Sequence, residues 1–158
     1  MSEEEQFKDL NPTWKVVLIV FSVLALGLAV LYIFLLKPFG FMLIETAYFY
    51  SLIAFYVSLV FIVFPASKSV PRDKTPWYDY LLFFFCLGTS IYYAFMAFDI
   101  IQKGWEFRAP LLPTLLGVGL WFLVLEAVRR ATGLVLAGVC GFFSFYPLFA
   151  GSMPGFLQ

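Results

Sequence analysis

The chain contains no histidine, and only 13% of its 158 residues are charged. The missing imidazole removes the usual haem ligand, the usual base for a serine or cysteine nucleophile and the commonest zinc ligand. The charged fraction is about half that of an average soluble domain. With 63% hydrophobic residues, a soluble fold of this size would lack polar cover for its surface. Ten basic residues balance ten acidic ones, so no long-range field draws a polyanion, and nucleic acid is excluded as a partner. Only two cysteines are present, Cys86 and Cys140, each within an apolar run, where a thiol acts as a small buried hydrophobe. A disulfide framework belongs to loop-rich secreted chains and is not expected here. P-loop, dinucleotide-glycine and Cys-x-x-Cys motifs are all missing, as is any acidic cluster with metal-ligand spacing. Neither an enzyme nor a cofactor carrier is expected.

What is present is a series of long apolar blocks separated by charge. A helix needs about 20 apolar residues to cross roughly 30 Å of hydrocarbon. The pattern predicts an all-α integral membrane protein, one membrane domain over 1–158, with helices near 12–36, 46–65, 76–99, 110–129 and 131–150. The acidic start Met1-Ser2-Glu3-Glu4-Glu5 is unlike a cleaved signal, so the first block is an uncleaved membrane helix. Asn11 and Pro12 suit a helix start, with Trp14 and Lys15 at the interface. Thr75, Pro76 and Asp79 repeat that signal before the third block, which Asp99 and Lys103 close.

The fourth and fifth blocks nearly touch. Gly133 is the expected break between them, and Pro147 should bend or end the fifth block. Five crossings are expected; the alternative is four plus an interfacial or connecting helix. With five, Lys8, Lys15, Lys68, Arg72, Lys74, Arg129 and Arg130 share one side, against Lys37, Lys103 and Arg108 on the other. The positive-inside rule then places the N-terminus in the cytoplasm.

Ionisable residues inside a membrane are functional candidates because burying them is costly. Glu45, Asp79, Asp99 and Glu126 all fall at block ends, leaving no stepping stones across the midplane. Glu126 is spaced to pair with Arg129 and Arg130 on one helix face, as an interfacial cluster fixing helix depth or as a docking contact. Gly133, Ala137 and Gly141 recur every four residues, a small-residue pattern that lets helix backbones approach. Ala25 with Ala29, and Ala54 with Ser58, repeat it in the first two blocks. The aromatic runs Phe83-Phe84-Phe85, Tyr92-Tyr93 and Phe142-Phe143 are lipid-facing bulk and interface belts.

Three segments carry a family resemblance. They are Pro76-Trp77-Tyr78-Asp79, the run Leu125-Glu126-Ala127-Val128-Arg129-Arg130-Ala131-Thr132-Gly133, and the closing Tyr146-Pro147-Leu148-Phe149-Ala150-Gly151 with Met153-Pro154-Gly155. Together they resemble the N-terminal part of the tripartite ATP-independent periplasmic (TRAP) transporter permeases of the TAXI type. The resemblance covers nearly the whole chain, and implies the small Q-like membrane region plus a connecting helix. It also implies a bacterial inner-membrane secondary transporter, driven by an ion gradient and taking up organic acids or amino acids. The expected partners are a large permease subunit, which carries the substrate and ion sites, and a periplasmic substrate-binding protein. Ending at Gln158, the chain would be a separate small subunit or a piece of a fused permease. The runner-up is a stand-alone small channel or an assembly factor. A channel wants a polar helix stripe, and Thr89, Ser90, Tyr92 and Tyr93 make none.

Overall fold

A computed structural model describes residues 11–35, 43–66, 76–105 and 108–150, with side chains up to residue 146. The described residues are helical, with no strand among them. Six helices follow one another: α1 (Pro12–Ile33), α2 (Glu45–Val63), α3 (Trp77–Phe95), α4 (Ala97–Gln102), α5 (Leu111–Thr132) and α6 (Leu134–Ala150). Of these, α1, α2 and α5 are long and apolar enough to cross a membrane. At 19 residues α3 is of similar length, but it carries Asp79, Thr89, Ser90 and several tyrosines, which lower its hydropathy. At 17 residues α6 is shorter.

Several boundaries differ from expectation. After Ile33, α1 gives way to a turn at Phe34 and Leu35. Asn11 caps α1 only through its main chain, whose carbonyl accepts from the Trp14 and Lys15 amides; its side chain makes no cap bond. Thr75 lies outside the described residues. Nor does Asp99 close the third block: it lies within α4, which continues the path of α3 past Met96. The Met96 amide still bonds to the Tyr92 carbonyl, and the Ile100 amide to Met96. Gly104, at φ 62°, stops α4 in a Schellman-type turn, with the Trp105 amide donating to the Ile100 carbonyl at 3.0 Å. At the other end of the chain α5 runs past Arg129 and Arg130 to Thr132. Gly133 then breaks the helix at φ 99°, and α6 starts at Leu134. The backbone of α6 runs beyond Pro147 to Ala150, so proline does not end it. A proline in the last turn removes one hydrogen bond where the ladder is about to finish.

The core has two parts. Phe61 of α2, Cys86 and Tyr93 of α3, Ile100 of α4, and Leu120, Leu123 and Ala127 of α5 form one cluster. Leu59, Ile62 and Phe83 form the other, covered by Trp14, Val17, Leu18 and Phe21 of α1. Ala25, Ala54 and Ser58 are buried, as their small size at close helix approaches suggests. Midway along α2 one turn, Ile53–Val57, is π-helical, and the Ser58 hydroxyl donates to the Ala54 carbonyl beside it.

The last two helices form an antiparallel hairpin about Gly133. Trp121 and Phe145, on opposite sides of the break, meet with ring centroids 5.2 Å apart. A Cβ placed on Gly141 would touch the Leu125 side chain at 3.8 Å.

Candidate functional site

The strongest chemistry gathers at one end of the bundle, where three helix ends converge. Asp79 lies in the first turn of α3, while Glu126, Arg129 and Arg130 lie near the end of α5. Beyond α2, the chain passes through Ala66. Helical spacing puts Glu126 within reach of both arginines. The Arg129 guanidinium grips its carboxylate with two bonds, each 2.7 Å, and donates to the Ala66 carbonyl at 3.0 Å. Arg130 donates to Glu126 Oε1 at 2.9 Å and to Asp79 Oδ1 at 2.7 Å. Its guanidinium also sits 5.1 Å from the centroid of the Phe61 ring.

Burial divides the cluster. The Asp79 side chain is 0% exposed and that of Arg130 is 2% exposed. Arg129 and Glu126, at 37% and 30%, face outward. Two carboxylates meet two guanidiniums, and the inner pair is shielded from water. A planar fork suits this task, because one guanidinium can bridge two carboxylates while stacking on a ring. The expected pairing of Glu126 with both arginines is present in the structure. The contribution of Asp79, placed by the sequence only at the positive end of a helix, joins α3 to α5 across 51 residues.

A second polar contact lies at the opposite end of the same two helices. The Tyr93 hydroxyl donates to the Pro113 carbonyl in the first turn of α5. Gly117 makes room for it: a Cβ there would stand 3.0 Å from the hydroxyl oxygen. Tyr50 of α2 stacks on Tyr93 with centroids 4.8 Å apart. Nearby, Lys103 and Asp99 form an exposed pair at 3.0 Å.

The small residues of the last segment have separate fates. Gly133 stands outside α6 as the hairpin break, and a Cβ on it would meet nothing within 4 Å. It is therefore not part of a helix-packing face, because α6 starts after it. Ala137 and Gly141, with Cys140, are the half-buried positions on α6, and α5 is the helix that α6 packs on. Its outward positions Val135, Gly138, Val139 and Phe142 are exposed. Of the expected small-residue face, Gly141 lies against Leu125 of α5.

Chemically, the cluster holds helices. Among the described residues no three acidic or cysteine side chains converge as metal ligands. The two carboxylates of the cluster are bridged by Arg130. Comparison with known proteins gives no match to any family model, curated protein or solved structure.

Proposed function

We propose that the chain is the small membrane subunit, or the equivalent region, of a TRAP-type secondary transporter. In this role it packs against the large permease subunit and steadies it in a bacterial inner membrane. The large subunit would hold the substrate and ion sites, and a periplasmic binding protein would deliver the substrate. The family part of the proposal rests on the sequence segments around Asp79, Glu126–Gly133 and Tyr146–Gly155. The observation that best supports a scaffold role is the cluster of Asp79, Glu126, Arg129 and Arg130. Its carboxylates and guanidiniums bond to one another where helix ends meet, an arrangement suited to holding helices. The exposed apolar faces of α1 and α6 suit a membrane setting beside a larger partner.

The same proposal takes α1, α2, α3 with α4, α5 and α6 as five crossings. The antiparallel return of α6 along α5 favours this count over an in-plane last helix. The N-terminus would then be cytoplasmic, with the α2–α3 connection and the α5–α6 break on the same side.

Co-purification tests the reading. A tagged chain expressed with its neighbouring genes and extracted in mild detergent should bring down a large multi-helix permease at equal stoichiometry. A chain that purifies alone as a stable oligomer would overturn the subunit reading and bring the channel or assembly-factor alternative forward.

A further inference from the structure

The contact between α3 and α5 is pinned at both ends. Asp79 and Arg130 join the start of α3 to the end of α5; Tyr93 and Pro113 join the end of α3 to the start of α5. Along α5, the two pins are about 25 Å apart at 1.5 Å per residue; along α3, about 21 Å. Between them the seam of α5 is Leu116, Leu120, Leu123 and Ala127 against Cys86 and its neighbours. Such a seam specifies position weakly. Inside a membrane, apolar side chains gain little by facing one another instead of lipid. A slide of one turn, about 5.4 Å, replaces one leucine with another.

We infer that the Asp79–Arg130 pair is a register lock. It fixes the axial position of the α5–α6 hairpin against α2 and α3, and contributes little to overall stability. Buried ion pairs repay their desolvation poorly, and matched apolar residues often replace them without loss. Their best-attested use is to select one register among several. The geometry here has that form, because a one-turn slide separates the buried Asp79 carboxylate from the Arg130 guanidinium, which travels with Glu126 on its own helix. Arg129 anchors the same end to the Ala66 carbonyl, but it is outward-facing and tolerates displacement. The lock concerns this chain's own helices and holds whether or not the partner reading does.

The test uses the full chain with Cys86→Ala and Cys140→Ala. Phe85→Cys and Gly119→Cys report the register, because a Cβ on Gly119 lies 3.3 Å from the Phe85 ring. The first substitution also removes the ring that the second would crowd. A short bis-methanethiosulfonate reagent should join the two cysteines in the parent register. Adding Asp79→Leu with Arg130→Leu leaves Glu126 its Arg129 partner. This variant should accumulate like the parent. Its cross-link at 85 and 119 should fall about threefold or more, with a new product when the second cysteine replaces Leu115 or Leu123, one turn away. An unchanged 85–119 yield overturns the inference. So does failure of the double-leucine chain to accumulate, which would make the pair a stability element. Tyr93→Phe, which keeps the charges, should leave the yield at 85–119 unchanged; loss there would assign the register to the hydroxyl instead.

Discussion

Arg129 and Arg130 are neighbours in the chain with opposite surroundings. Arg130 is enclosed between two carboxylates and the Phe61 ring, whereas Arg129 keeps an outward face. Removing one member of a buried pair leaves the other charge stranded, at a cost of about 3–5 kcal/mol. Arg130→Leu alone should therefore lower membrane-inserted protein severely, while Arg129→Leu, at a partly exposed pair, should cost no more than about 1 kcal/mol. Immunoblotting of the membrane fraction distinguishes them; equal losses would contradict the burial difference. At the far pin, Gly117→Ala brings a Cβ to 3.0 Å from the Tyr93 hydroxyl and should strain its bond to Pro113. The loss should be about 1 kcal/mol in detergent unfolding and should shrink when Tyr93→Phe is added. The half of the cluster formed by Glu126, Arg129 and Arg130 is legible in the sequence, because helical spacing alone brings those side chains together. The Asp79 half is not. Spacing puts Asp79 at a helix start, but which face of α3 turns toward α5 depends on packing between helices distant in sequence. Tyr93 is hidden for another reason: its acceptor is a main-chain carbonyl, to which residue identity gives no clue.

Among the elements, the α5–α6 hairpin depends most on one residue. Gly133 combines φ 99° with ψ 175°, a region close to glycine-only. A side chain there would meet open space, so the penalty is in the backbone alone. Gly133→Ala should destabilise the hairpin by about 1–3 kcal/mol, and Gly133→Leu by about the same amount. A much larger effect of leucine in thermal unfolding would point to crowding at the break. Gly141→Ala should be mild, since its Cβ would meet Leu125 at an ordinary 3.8 Å, whereas Gly141→Leu must displace that side chain. The break itself is legible from glycine between two apolar blocks. The direction of α6 after it is not, because a glycine permits a turn without fixing where the chain goes. That is decided by contacts such as Trp121 with Phe145. Helix ends are the least legible part: α4 carries the helical path past Asp99 to Gln102, and Asp99 pairs with Lys103 on an exposed face there.

For the whole molecule, the antiparallel order of α3 and α5 separates the two pins to opposite ends. If both helices cross the bilayer, exposed positions near those ends must face different compartments. Single cysteines at Gln102 and at Thr132, in a chain lacking Cys86 and Cys140, should react with a membrane-impermeant maleimide from opposite sides of sealed vesicles. Labelling of both from one side would reduce the number of crossings. That the chain belongs in a membrane is legible from block length and scarcity of charge, which are local properties. The proposed partner rests on shorter segments around Asp79, Glu126 and Tyr146, for which block length and charge are no substitute.

The cluster also forms in two stages. Glu126 meets both arginines as soon as α5 coils, because the three lie on one helix face, so these residues carry one excess positive charge at that point and not two. Asp79 reaches Arg130 only when α3 packs on α5. The charge that this stretch of α5 shows before packing is therefore larger than the charge it shows afterwards, and the closing of the helix pair is also a discharging of it.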